Sequence, residues 1–291
     1  MEKFSSWRDK GTGISPFMPQ KLPTFQNNII LSVASKSPIF LIKLPFFIIT
    51  YLIYTITGLN FILKFILTIL FGFNRIEFTV DGIKKSQIDK LIKYKPQKGD
   101  LIITNYITPL DGYFLSLLSG NNSKIVLLIP NKSGDLYQYS PLGLFNYTFN
   151  YNDGGKLIQD LSKLQNKIVF LFLEGTPSNN KSILPFIKLN SKYSFNDNFI
   201  IKSLIVKLKP NYFTLPIPHI TTKLQYFFEL LTNLSPKIIH YKIYKFDNEF
   251  NISKIRNSFE LNSLTSISQD LNIDSKNKFI DYYFDHSIKK N

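Results

Sequence analysis

Two polar turns, each closing an apolar run, hold the residues of this chain best placed for chemistry. The first lies in LIITNYITPLDGYFLSLL, residues 101–118. There the β-branched run Ile102-Ile103-Thr104 leads into Asn105-Tyr106-Ile107-Thr108-Pro109-Leu110-Asp111, and a helix-like apolar segment follows. Asp111 stands at a strand-to-helix junction, where a carboxylate can move a proton and can equally serve as an ordinary helix N-cap. The second turn lies in FLFLEGTPSNNKSILPF, residues 170–186, where an apolar strand ends in Glu174-Gly175-Thr176. Glycine lets the backbone approach a ligand closely there, and the Glu and Thr side chains can bond a loop or a substrate. Neither turn contains histidine or cysteine.

Residue type and spacing exclude several other chemistries. His219, His240 and His286 lack the spacing of a ligand set, so no metal is expected. The chain has no cysteine, which removes disulfides, thiolate metal sites and a Cys nucleophile, and which fits a domain facing the cytosol. There is no GxSxG elbow, no Walker loop and no complete dinucleotide fingerprint. The GTG at 11–13 has no strand before it. No bound cofactor is expected.

The elements that must position the two turns follow from hydrophobic periodicity. Beyond residue 100, strand candidates at 100–104, 124–130, 167–173, 200–209 and 237–246 interleave with helix candidates at 111–119, 154–165 and 221–233. This pattern predicts an α/β fold with a mostly parallel sheet covered by helices. A strand is also expected over 75–83, with Asp81-Gly82 as its turn. Phe279, Ile280, Tyr283 and Phe284 recur at helical spacing within 275–290. Ahead of the sheet, residues 38–73 are strongly apolar, and 20 uncharged residues separate Lys43 from Lys64, about the length of a spanning helix. Gly58 and Asn60 can instead divide the stretch into two helices, 39–57 and 60–73, dipping into one leaflet as a membrane-embedded hairpin. The expected organisation is a polar segment 1–28, a membrane-associated helical hairpin 29–73, an α/β domain 74–246 and a C-terminal helical segment 247–291.

The net charge of +15 over 291 residues is almost all lysine, since arginine occurs only at Arg8, Arg75 and Arg256. Sequence-specific DNA readers depend on arginine, so nucleic acid is not an expected partner. Lys84, Lys85, Lys90, Lys93, Lys95 and Lys98 follow close behind the apolar stretch. Such an excess suits anionic headgroups or an acidic substrate, and it also follows from a composition biased toward Lys, Asn, Ile and Phe.

In this order, behind a membrane segment, the two turns resemble the motifs of the glycerolipid acyltransferase family (1-acylglycerol-3-phosphate acyltransferase-like). The family's first motif, Asn-His-x-Ser-x-Leu-Asp, is matched by NYITPLD at 105–111. Its third, Glu-Gly-Thr-Arg-Ser with a following Leu-Pro-Phe, is matched by EGTPSNNKSILPF at 174–186. A Pro-containing fourth motif is matched by TLPIPH at 214–219, and the resemblance runs over most of the chain from WRDKGTGISPF at 7–17. It implies a membrane-bound enzyme that moves an acyl chain from acyl-CoA to lysophosphatidic acid or a related lysophospholipid. The product would be phosphatidic acid, for phospholipid and triacylglycerol synthesis. Acyl-CoA, lysophospholipid and membrane lipids are the implied partners. The implied location is the endoplasmic reticulum membrane and lipid droplets, with the catalytic domain facing the cytosol.

By the same resemblance, Asp111 and the Tyr106 position would carry the chemistry. Asn105, Glu174, Gly175, Thr176, Lys181 and Pro216 would shape the substrate site, with Lys181 replacing an arginine that holds phosphate. Three departures stand out: Tyr106 occupies the family's histidine position, Pro177 its arginine position, and a Gly-x-Phe-x-Arg pattern is lacking near 141–155. A phenol of pKa about 10 is ionised at about one part in a thousand at neutral pH. Asp111, acting through a water, is then the base that remains. The alternative is a catalytically impaired relative that binds lipid or acyl-CoA in lipid-droplet organisation or membrane trafficking.

Overall fold

A computed structural model describes residues 2–26, 28–120, 125–151, 154–193, 195, 199–246 and 250–287. Its centre is a sheet of β1 (Arg75–Val80), β2 (Asp100–Thr104), β3 (Ile125–Pro130), β4 (Leu136–Tyr139), β5 (Lys156–Leu157), β6 (Ile168–Leu171), β8 (Ile200–Lys209) and β9 (Ile238–Lys245), in the order β1-β9-β8-β2-β6-β3-β4-β5. A short pair, β7 (Ser182–Ile183) and β10 (Thr265–Ser266), lies apart from it. The middle pairings β8/β2, β2/β6 and β6/β3 are parallel, as is β1/β9. Pairs β8/β9, β3/β4 and β4/β5 are antiparallel. The mostly parallel central sheet read from the sequence is present.

Burial explains why β2 and β6 read as unbroken apolar runs. Both faces of a central parallel strand are covered, so alternation disappears from the sequence while the side chains still alternate in space. Ile102, Phe170 and Leu204 face one core, and Leu101, Ile103, Leu171 and Ile205 face the other. The first core is roofed by α4 (Asp111–Ser119), α5 (Pro141–Asn150) and α6 (Lys223–Thr232), together with the N-terminal helices; the second is closed by α7 (Ile252–Glu260). The short α3 (Ile88–Lys93) follows β1. A third cluster joins Phe17 of the N-terminal segment to Phe279 and Tyr283 of α8 (Ile273–Ser287).

Two expectations need correction. Residues 154–165 do not form a helix: they supply the edge strand β5 and a single 3₁₀ turn at Ser162–Leu164. Ile158, Leu161 and Leu164 are buried at a spacing of three, which suits a 3₁₀ turn, and the Gly154-Gly155 pair is a poor start for an α-helix. The helix nearby is α5, begun by Ser140, whose hydroxyl accepts the Gly143 N–H, with Pro141 in the first turn. Lys124 of the strand expected at 124–130 and residues 288–290 of the helix expected at 275–290 lie outside the described residues.

The second correction concerns the hairpin. α1 (Ile29–Thr57) starts ten residues before the expected first arm and runs through Pro38 and Pro45. It ends at Gly58, whose φ of 66° is the left-handed C-cap conformation that glycine adopts without strain. The chain then reverses into α2 (Asn60–Phe65) and one π turn, Ile66–Leu70, and Lys43 Nζ reaches back to the Leu70 carbonyl at 3.0 Å. This second arm is short and buries Ile62, Leu63, Ile66, Leu67 and Leu70 in the core. Among the described residues, only α1 is long and apolar enough to cross a membrane.

The helix roof is close-packed where α4 meets α5. A Cβ on Gly112 would lie 2.8 Å from Pro141 Cα and 2.9 Å from a Leu127 methyl. In an open helix Gly→Ala stabilises by up to about 1 kcal/mol. Here Gly112→Ala is expected to destabilise by about 1–3 kcal/mol through overpacking. Thermal unfolding of the variant reads the sign directly, and a raised melting temperature contradicts this packing.

Candidate active site

Three parallel strands, β2, β6 and β8, deliver loops to the same end of the sheet, the end at which ligands bind in open α/β folds. Asn105, one residue past β2, is fully buried and bonds both Val206 N–H and Val206 C=O at 2.8 Å, so its amide extends the ladder to β8. Glu174, just past β6, accepts the Tyr106 N–H on Oε1 at 2.9 Å and the Leu184 N–H on Oε2 at 2.8 Å. The Ser178 N–H bonds the Tyr106 carbonyl, and the Leu215 N–H bonds the Ile107 carbonyl. The two turns singled out in the sequence, and the segment containing Pro216, are thus one assembly.

Asp111 is the first residue of α4 rather than its N-cap, which is Leu110. Its carboxylate folds back on the preceding turn, and Oδ2 accepts the N–H groups of Ile107 (2.8 Å) and Thr108 (3.1 Å). Oδ1 has no hydrogen-bond partner among the described residues, although the side chain is buried. Burial raises this carboxyl from 3.8 to about 7, against the pull of the two N–H bonds. A group of that affinity is suited to exchanging a proton near neutral pH.

Tyr106 points elsewhere. Its hydroxyl lies 2.6 Å from Thr148 Oγ1, and Thr148 spends its own proton on the Leu144 carbonyl at 2.7 Å, so the phenol is the donor. The ring packs on Phe172 at 4.9 Å between centroids, with no surface exposed. Burial drives its pKa well above 10. No hydrogen bond joins Tyr106 to Asp111 among the described residues. The tyrosine fastens the turn to α5 and is the wrong group for a base.

The second turn is built on Gly175, at φ 65°, where a Cβ would lie 2.3 Å from an Ile187 methyl and 2.9 Å from the Pro130 carbonyl. Thr176 Oγ1 donates to Tyr151 Oη, and Tyr151 Oη to the Pro216 carbonyl, each at 3.3 Å. Lys276 of α8 donates to Thr176 Oγ1 at 2.5 Å and to the Pro177 carbonyl at 2.7 Å. Lys181, by contrast, is exposed on the loop leading to β7. Thr148, Tyr151 and Lys276 were missed in the sequence. A signal for the last was present, because Lys276 stands three residues before Phe279 and seven before Tyr283, on the stripe that α8 buries.

Beside the first turn lies an apolar cavity of about 400 Å³. Leu110 and Tyr113, on either side of Asp111, line it together with Phe47 and Tyr51 of α1, Phe145 of α5 and Leu230 of α6; Lys223 is the one charged residue in its wall. Such a space takes a hydrocarbon chain and offers little to a polar solute.

The buried carboxyls make stability depend on pH with a definite sign. Burial raises Asp111 from 3.8 to about 7 and Glu174 from 4.5 to about 8. The native state therefore holds these protons more tightly, so each contribution is complete below the unfolded value and is lost as pH rises through about 7 and 8. Denaturation midpoints are expected to fall from pH 5 to pH 9. Asp111→Asn should remove the part of that fall that levels off near pH 7; an unaltered pH profile in the variant contradicts the assignment.

No family model matches the chain, and no solved structure matches it significantly. Lysophosphatidic acid:oleoyl-CoA acyltransferase 1 of Saccharomyces cerevisiae is 31% identical over 314 aligned residues, covering 100% of this chain and 99% of the relative. A Schizosaccharomyces pombe protein named "Putative lysophosphatidic acid:oleoyl-CoA acyltransferase" is 27% identical over 246 residues, covering 75% of this chain and 77% of its own. The resemblance carried by the two turns thus extends along the full length, and the chain belongs to the lysophosphatidic acid:oleoyl-CoA acyltransferase family.

Proposed function

We propose that the protein transfers an acyl chain from acyl-CoA to lysophosphatidic acid or a related lysophospholipid, giving phosphatidic acid at a membrane surface. The observation that carries this reading is a buried carboxylate with one unbonded oxygen, Asp111 Oδ1, set between two residues that line an apolar cavity. The names of the two relatives supply the substrate class. In the reaction the glycerol hydroxyl attacks the thioester carbonyl and loses its proton to Asp111, directly or through a water. The tetrahedral intermediate then expels the CoA thiolate, which takes up a proton as the ester forms. Positioning two bound substrates contributes more than the ~10²–10⁴-fold of a general base, so transfer without the family's histidine is chemically reasonable. Lys181, exposed at the rim of the second turn, is the proposed contact for the lysolipid phosphate.

The proposed membrane contact is the outer face of α1. From Lys36 to Tyr54 this helix docks along the domain: Lys36 pairs with Glu229 at 3.5 Å, Phe47 meets Phe227 at 4.5 Å, and Tyr51 and Tyr113 share a hydroxyl bond of 2.8 Å. That is roughly 27 Å of helix at 1.5 Å per residue. A helix held sideways over such a length lies in the interface more readily than it crosses it. Leu41, Ile42, Phe46, Ile49, Leu52 and Ile56 on its far side are more than half exposed, and Phe61 and Ile69 of the second arm extend this surface. Burying such side chains contributes roughly 1.5–3 kcal/mol each, so the protein should stay with membranes in high salt and alkaline buffer. Release by salt alone contradicts this anchor. The endoplasmic reticulum and lipid droplets, with the domain on the cytosolic side, are the proposed location.

The catalytic assignment is tested by steady-state transfer from labelled acyl-CoA to lysophosphatidic acid. Asp111→Asn is expected to lower kcat by about 10²-fold or more, whereas Tyr106→Phe removes one hydrogen bond, about 1 kcal/mol of stability, and leaves most of the rate. Equal loss in both variants makes the tyrosine a catalytic group. Tyr106, which stands at the family's histidine and is bonded away from Asp111, favours a second reading as a lipid-binding relative. Lipid binding with no turnover in wild type selects it. Leu142, a half-exposed residue of the cavity wall, offers a chain-length test. Leu142→Trp should reduce transfer of long acyl chains relative to short ones, and an unchanged preference removes the cavity from the acyl path.

A further inference from the structure

The lysine-rich stretch behind the membrane helices takes no part in the proposed reaction, yet the fold gives it a definite surface. Between β1 and β2 the chain carries Lys84, Lys85, Lys90, Lys93, Lys95 and Lys98, all exposed, against one exposed acid, Asp89. Lys85 pairs with Glu77 at 3.3 Å, and the other five make no ion pair among the described residues. The acids of the neighbouring strands are already occupied: Glu77 by Arg75 and Lys85, Asp81 by Lys242, Asp100 by Lys202. Among these lysines α3 exposes two large apolar side chains one turn apart, Ile88 at 64% and Ile92 at 53%. Like charges gathered in this way repel one another, and exposed isoleucines gain nothing from water. The combination suits a surface that is negative outside and apolar beneath.

The patch is held in place at both ends. The Ile83 N–H bonds the Val80 carbonyl at 3.2 Å, Pro96 is buried, and the Gln97 N–H bonds Oδ2 of the buried Asp100 at 2.7 Å. Leu91 of α3 is buried in the core that also takes Ile62, Leu63 and Ile66 of the second arm, and Phe47 and Tyr51 of α1 pack against that core. Thus α3 covers the same face of the sheet as the helices that carry the exposed apolar row. We propose that α3 and its flanking lysines form a second membrane contact, one that selects anionic phospholipid. The ammonium groups meet the headgroups while Ile88 and Ile92 enter the interface. This contact rests on the membrane face proposed for α1 and adds what an apolar helix lacks, a response to lipid charge. Each lysine at such a surface strengthens association by about fivefold, and the effect fades within a Debye length of about 8 Å. A nucleic acid or an acidic protein would meet the lysines but leave two isoleucines on the membrane side without a use.

The chain has no cysteine, so a single introduced thiol carries an environment-sensitive dye without competition. Full-length Ile92→Cys and Ile49→Cys proteins, each labelled, are reconstituted into vesicles of phosphatidylcholine alone or mixed with phosphatidylserine. Both positions are more than half exposed, so the fold tolerates the label. The dye at 49 reports the apolar face of α1 and is expected to shift to the blue in both vesicles, whatever the salt. The dye at 92 should shift only where phosphatidylserine is present, and high salt should reverse that shift. A variant carrying Lys84→Gln, Lys90→Gln, Lys93→Gln, Lys95→Gln and Lys98→Gln should lose the response at 92 and keep the one at 49. No shift at 92 in either vesicle, an equal shift in both, or a shift that survives in the lysine variant overturns the proposal. A response at 92 to RNA or polyglutamate, with none to phosphatidylserine, assigns the surface to another partner and overturns it as well. If the dye at 49 stays in water in both vesicles, the α1 anchor falls, while the response at 92 still decides the role of α3.

Discussion

The assembly of this site hangs on one buried carboxylate. Glu174 takes an N–H from the turn after β2 and another from the segment leading into β7, each near 2.9 Å. No backbone ladder joins these two regions, because β2 has ended by Thr104 and β6 by Leu171. Leaving either N–H unpaired in the interior costs about 1–3 kcal/mol, so this side chain, together with the Ser178 N–H bond to the Tyr106 carbonyl, fixes how far apart the two turns sit. Gly175 follows it because the loop passes so close to Pro130 and Ile187 that a side chain has no room. The apolar strands set the frame, and this carboxylate sets the register of the loops upon it.

Around that splint the acidic and aromatic groups divide their labour by environment. Asp111 and Glu174 are both buried, yet only Asp111 keeps an oxygen free of partners. Tyr106, Tyr151 and Tyr226 are all buried with their hydroxyls bonded to neighbours, and burial raises each of them. They brace loops and do not titrate. The substitution of histidine by tyrosine at 106 therefore changes the kind of part, from a group that can accept a proton at neutral pH to one that ties α5 to the turn through Thr148.

Much of this was legible in the sequence for physical reasons. The strands 100–104 and 200–209 and the helix 111–119 match the observed bounds, since long apolar runs ending in polar turns leave few alternatives. The helix expected at 154–165 is absent because three apolar residues at a spacing of three fit a 3₁₀ turn as well as an α-helical period. Helix α5 was passed over even though Ser140-Pro141 marks its start. At the site, Asp111 and Glu174 were found from their positions at strand ends. The lysine that ties α8 to the second turn was not, because Lys276 lies 99 residues beyond Pro177 and only the fold brings them together. Lys181, nearer in sequence, is exposed.

The inner wall of the apolar cavity is made by α4, α5 and α6, and its outer wall includes Phe47 and Tyr51 of α1. The opposite side of that same helix carries the exposed row of Leu41, Ile42, Phe46 and Ile49. Carrying a hydrocarbon chain through water costs about 0.8 kcal/mol per methylene, or roughly 13 kcal/mol for sixteen of them. A partition one helix thick, greasy on both sides, removes most of that barrier. On the proposed orientation, a fatty chain exchanges one hydrocarbon solvent for another across the width of a single helix, and the encounter with its partner becomes a search in two dimensions.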